Sequence, residues 1–217
     1  AFQRDELAAA LPTYAVVAVG RDDGAEAGEM CACFYRGERF LLLASGTFWL
    51  SETPAAVGSR GWDAALPRIA TWLRLRDLDS GREVLWLNTH FDHEGEEARR
   101  RSHGLLARWL GDHRDGAALV VTGDFNLPAD PSPDSEQQLL LGDLLADTWT
   151  AAHGSVEPVE GTFNGFGLRP RPGRIDWILA SADLHVTRAS ILRTRDGERW
   201  PSDHCPVTAS LRFEAGD

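Results

Sequence analysis

The chain has 217 residues, a formal net charge of −11 and 43% hydrophobic residues. This fits one globular domain and excludes a disordered chain, and no apolar run approaches the ~18 residues of a membrane helix. All 22 basic residues are arginine, so Schiff-base, Walker-lysine and lysine-base chemistries are excluded. The acidic balance argues against a general nucleic-acid binder but does not exclude a phosphate-ester substrate, provided a metal offsets the local negative field.

In chain order, residues 2–11 carry apolar side chains at helical spacing, and Pro12 stops them. Residues 14–19 read as a strand, and 21–29 as an acidic, glycine-containing turn. Strands at 30–35 and 39–51 form a hairpin around Arg36, Gly37 and Glu38. A long loop, 51–67, carries Trp62. A second hairpin joins 68–78 to 83–91. Residues 94–113 form the clearest helix: acidic residues open it, and Ala98, Leu105, Leu106, Trp109 and Leu110 make an apolar stripe. Residues 117–122 read as a doubly buried strand. A loop over 128–133 precedes a helix expected over 134–145. Strands follow at 174–180, 184–192 and 205–213. Strands arriving mostly as hairpins, with helices interspersed, predict an α/β (α+β) fold of two sheets with helices outside, not a doubly wound parallel sheet. The three cysteines, Cys31, Cys33 and Cys205, suit neither a disulfide framework nor a zinc knuckle and read as small core residues, a usage that leans toward a reducing, cytoplasmic compartment.

Four segments place polar residues directly after apolar runs, where layered folds build sites. Asp176 lies inside an apolar strand, so its carboxylate needs a partner, and a histidine is a natural one. Asp124 and Asn126 are spaced to project from one side of an extended segment, beside a glycine that allows close approach. Asp203 and His204 join a hard oxygen ligand to a titratable base. His90 and His93 lack a clear third zinc ligand.

Together, Asn88-Thr-His90, Gly123-Asp124-Phe-Asn126, Arg174-Ile-Asp176 and Ser202-Asp203-His204 resemble the endonuclease/exonuclease/phosphatase superfamily, which includes DNase I-like enzymes. The resemblance runs through nearly the whole chain. The stretch 46–54, with Gly61-Trp62-Asp63 and Arg68, resembles a bacterial subgroup related to the deadenylase-like branch. It implies a four-layer sandwich, two mainly antiparallel sheets flanked by helices, in a single domain over 1–217. It further implies Mg²⁺-dependent phosphoester hydrolysis, with Mn²⁺ as a substitute. By that resemblance His204 is the general base, Asp176 holds it, and Asp124 and Asn126 orient the nucleophile and contact the phosphate. His90 donates to a phosphate oxygen, and Asp203 belongs to the metal site. Arg68, Trp62 and Asn164 are assigned to substrate, and Arg60, Arg169 and Arg171 are further candidates for a phosphate patch.

Two departures stand out. The superfamily pattern begins with a strand bearing an Asn and a helix leading to a metal-binding Glu, and Ala1 falls just after that Glu. The absent part is on the order of 30 residues, and its strand would be central, so exposed sheet edges are expected. Asn164 also stands where the related bacterial sequences tend to have His. The charge favours a small phosphodiester, a phosphorylated sugar or a lipid headgroup as substrate. No stable nucleic-acid partner and no membrane span are expected, and the chain is expected to be a monomer. The competing readings are a nuclease on single strands or RNA ends, and a binding module that keeps the fold without catalysis.

Overall fold

Apolar alternation along the strands decides which face of the central sheet each side chain takes. The computed structural model describes residues 1–130, 132, 135–154 and 161–214. In chain order its elements are α1 (Phe2–Ala10), β1 (Tyr14–Val17), β2 (Cys33–Arg36), β3 (Phe40–Trp49), β4 (Ile69–Asp77), β5 (Glu83–His90), α2 (Glu96–His113), β6 (Ala118–Asp124), α3 (Glu136–Leu141), β7 (Ala146–Asp147), α4 (Thr148–His153), β8 (Asp176–Ala180), β9 (Leu184–Ile191) and β10 (Val207–Phe213). The central sheet runs β3-β4-β5-β6-β8-β7. Its pairs are antiparallel except β5–β6, which α2 connects as a parallel crossover.

On one face, Leu85 and Leu87 of β5 and Leu119 and Val121 of β6 pack with Leu106 and Leu110 of α2. Each such leucine stabilises the fold by about 1.5–3 kcal/mol on burial. Trp86 and Val120, the alternate residues, face the other way. There β1–β2 covers one half, with Val17, Cys33 and Tyr35 around Leu73 and Leu75. The β9–β10 hairpin covers the other, with Leu184, Leu211 and Phe213 against Ala118 and Ala180. A cavity of about 450 Å³ between them is lined by Trp86, Val120, Leu211 and Phe213.

The fold class read from the sequence holds, and the exposed edges expected in one sheet lie in the second layer. That layer is two separate two-stranded hairpins, and no backbone ladder joins them among the described residues. Side-chain alternation fixes the face a strand presents, not the edge it pairs with. The helix expected over 134–145 is shorter, Glu136–Leu141, capped by the Ser135 hydroxyl accepting from Gln138 N; Asp134 lies outside the described residues, as do parts of the 128–133 loop. Strand β7 and helix α4 were not expected. Asp147 creates both: its carboxylate caps Trp149 N at 3.0 Å and pairs with buried Arg174. The three cysteines are free and buried, as expected. No helix among the described residues is long and apolar enough to cross a membrane.

Candidate active site

Three neighbouring strands end in a row of polar residues. His90 closes β5, Asp124 closes β6 and Asp176 opens β8; His90 stands opposite Asp124 in the parallel ladder, and Asp124 opposite Asp176 in the antiparallel one. Each is followed by an aromatic residue that turns inward. Phe91, Phe125 and Trp177 are fully buried, with Phe91 and Phe125 centroids 4.9 Å apart and Phe125 and Trp177 stacked at 4.2 Å. The rings of the three segments thus form one packed row beneath the polar row. The Trp177 indole N–H also donates to Arg174 O at 2.8 Å. Gly123 permits the close approach of β5 and β6: a Cβ there would fall 2.2 Å from the Thr89 carbonyl oxygen.

His204, in the loop before β10, completes the arrangement. Its Nδ1 is 2.8 Å from Asp176 Oδ2, and its Nε2 is 3.8 Å from Asp124 Oδ2. His90 Nε2 approaches the same Asp124 oxygen at 3.3 Å. The Ser202 hydroxyl accepts from His204 N at 3.1 Å, and Asn164 N donates to Asp203 O at 2.7 Å, which fixes the loop. His90, Asp124, Asp176, Asp203 and His204 all line one open cavity of about 800 Å³.

The electrostatics separate the roles. Burial, then the charge of Asp176, pushes the Asp124 carboxyl up to about 6. Burial opposes charge on His204, but the hydrogen bond to Asp176 and the charges of Asp176, Asp124 and Asp203 outweigh it, so its pKa is raised. Burial, then Arg68 and Arg21, holds His90 down to about 3, so it is neutral at physiological pH. Asp124, Asp176 and His204 offer ligand atoms within 4.8 Å of one another. His204 Nδ1 and Asp176 Oδ2 engage each other, and the carboxylates of Asp203 and Glu29 line the same cavity outside this cluster. A divalent cation beside Asp124 would offset both the burial and the Asp176 charge that push its carboxyl up, so the residues present fit such an ion.

The other predicted residues sit differently. Asn126 does not line the cavity. Its backbone N–H donates to Asp124 Oδ1 at 2.8 Å and its side-chain amide to Phe91 O at 3.0 Å, so it fastens the Asp124 turn to the His90 segment. Arg68 is 3% exposed, paired with Asp92 at 3.2 Å and with His93 Nδ1 at 2.8 Å, and its Nη1 lies 3.8 Å from Glu29 Oε2. Trp62 does not line the cavity; its backbone N–H donates to Glu52. Asn164 and Phe163 border a neighbouring cavity, and the Phe163 and His204 ring centroids lie 5.1 Å apart with the rings near perpendicular. Sequence reasoning missed Glu29, which lines the site with Oε2 3.5 Å from His90 Nδ1 and is held by Arg21. The acidic run 21–29 was its only signal, and that run reads as a solvated turn. Arg4 and Phe2 of α1 also line the site.

The model of the endonuclease/exonuclease/phosphatase family matches residues 13–204. The chain belongs to this family. Among solved structures, a mannosyl-6-phosphatase from Bacteroides thetaiotaomicron VPI-5482 is 37% identical, covering 98% of this chain and 82% of its own, with a TM-score of 0.86. An endonuclease/exonuclease/phosphatase from Bacteroides vulgatus is 38% identical, covering 98% and 81%, with a TM-score of 0.87. The human Nocturnin catalytic domain, at 21% identity over 98% and 77% with a TM-score of 0.70, shares the fold. No curated protein matches the chain. Family membership makes this chain a hydrolase of the DNase I-like fold.

Proposed function

We propose that the protein is a metal-assisted phosphoester hydrolase acting on a small phosphorylated compound, a sugar phosphate foremost. The observation that carries this reading is the 2.8 Å His204–Asp176 pair, set beside Asp124 at the mouth of one cavity. Asp176 holds the Nδ1–H tautomer, which leaves Nε2 free to take a proton from water. Asp124, steadied by Asn126, orients that water. Neutral His90 keeps one N–H to donate to a phosphate oxygen as charge develops. A divalent cation bound by Asp203 and Asp124 would supply Lewis-acid polarisation of the phosphoryl group. The sugar-phosphate assignment is supported by the likeness to the Bacteroides thetaiotaomicron mannosyl-6-phosphatase.

The test is a panel of mannose 6-phosphate, 4-nitrophenyl phosphate and bis(4-nitrophenyl) phosphate with Mg²⁺. Hydrolysis is expected to stop with excess EDTA and in His204→Ala, whose circular dichroism should match the parent. Turnover that persists in His204→Ala would remove the assigned base, and turnover that persists in chelator would remove the metal.

A further inference from the structure

Beyond Phe163 lies a second cavity of about 450 Å³, bordered by Asn164, Arg171, Arg195 and Trp200. Phe163 links it to the first site: its ring centroid lies 5.1 Å from that of His204, the two rings near perpendicular, and the Arg171 guanidinium lies over its ring at 5.2 Å. Arg195 lies over Trp200, also at 5.2 Å. Trp200 comes in closely because residue 167 is glycine; a Cβ there would fall 2.8 Å from the indole Nε1.

Three features of this cavity suit a ligand, one buried and two on its exposed rim. Asn164 is 4% exposed, and its Oδ1 is buried with no hydrogen-bond partner among the described residues. Its Nδ2 is already committed, donating to Ser202 O at 3.2 Å. A buried acceptor left open is costly, and a hydroxyl from a bound molecule would satisfy it. Arg171 and Arg195 show no ion pair with a carboxylate among the described residues, in a chain carrying 33 acidic residues. A guanidinium lying over a ring keeps its in-plane N–H fork for a carboxylate or phosphate.

We propose that this cavity is the leaving-group subsite, and that it selects phosphoesters whose alcohol half carries hydroxyl groups and a second anionic group. The inference rests on the phosphoester reading above. The scissile phosphate sits at His204 and Asp124, the alcohol half passes Phe163, a hydroxyl donates to Asn164 Oδ1, and the second anion meets Arg171 and Arg195. This gives a physical role to Asn164, whose amide carbonyl accepts a hydrogen bond without titrating.

The test compares glucose 1,6-bisphosphate, glucose 6-phosphate and 4-nitrophenyl phosphate in the parent, Arg171→Ala and Arg195→Ala. The ratio of kcat/KM for the bisphosphate to that for 4-nitrophenyl phosphate is expected to fall at least about tenfold in each variant, while the ratio for glucose 6-phosphate falls less. An unchanged bisphosphate ratio in both variants would overturn the subsite. Calorimetric titration of glucose 1,6-bisphosphate into His204→Ala, alone and with Arg195→Ala added, reads the subsite without turnover. Binding weakened about tenfold by Arg195→Ala supports it; absent or arginine-independent binding overturns it. If the parent hydrolyses none of the three compounds, the phosphoester reading fails, and the titration still decides the subsite.

Discussion

Asp124→Asn should stabilise the protein while disabling it. Asp124 is buried next to Asp176, and its pKa rises from 3.8 to about 6. A carboxyl with a folded pKa above its unfolded value contributes stability below the unfolded pKa and loses it as pH rises through the folded one. Between pH 4 and pH 7 the native state therefore loses about 3 kcal/mol at this residue, at 1.36 kcal/mol per unit; discounting for the shared charge of Asp176, about 2 kcal/mol is a fair expectation. Asparagine keeps the oxygen that accepts from Asn126 N and carries no charge. Urea unfolding in EDTA at pH 8 should show the variant more stable by about 2 kcal/mol, with its melting temperature up by about 5 °C. At pH 4 the two proteins should coincide. A variant less stable at pH 8, or a gain independent of pH, would refute the argument that burying a charge beside Asp176 strains this site. Phosphoester turnover should fall at least about 100-fold, because the water loses its orienting carboxylate.

Asp176→Asn should lower kcat by about 10²–10⁴-fold, since an amide can hold the wrong imidazole tautomer. It should also move the acid limb of the pH–rate profile to lower pH: His204 loses its main raising partner and Asp124 loses a like charge. A limb that moves upward would contradict this. Asp92, 2% exposed, accepts from the backbone N–H groups of Ala65, Leu66, Glu94 and Gly95 and from Arg68. Burial alone would raise its pKa, but those donors hold it far below the carboxylate range, so its contribution is present at neutral pH and fades only as pH falls through that depressed value. Asp92→Ala should cost about 3–5 kcal/mol in denaturant unfolding at pH 7, because it strands the buried Arg68 charge; a loss under about 1 kcal/mol would show the pair is dispensable. Gly123→Ala should destabilise the fold and cut kcat, since its methyl meets the Thr89 carbonyl and pushes Asp124 out of the row; normal kinetics would mean the β5–β6 ladder tolerates the shift.

The site was legible where local pattern carries the information. Apolar runs ending in His90 and in Gly123-Asp124, and one that Asp176 opens, marked strand ends, and the structure brings those ends together with Asp203 and His204. Positions that depend on distant partners were not legible. Arg68 is a candidate phosphate ligand in the sequence, and only the structure shows it buried against Asp92, 24 residues away. Glu29 looks like turn solvation until the Gly20–Met30 bridge brings it alongside His90. Helix α4 is too short for periodicity to reveal, and its cap, Asp147, is anchored by Arg174 from a different part of the chain.

The row of Phe91, Phe125 and Trp177 gives the core a functional address. A ring that touches no substrate sits one residue from each of His90, Asp124 and Asp176, so the polar constellation can tilt only if the stacked rings slide over one another. The ordering of these side chains is therefore completed when the chain folds, and little is left for ligand binding to impose. A lesion hidden at Phe125 would behave as an active-site lesion, and heat should erase catalysis and the buried Trp177 environment in the same transition.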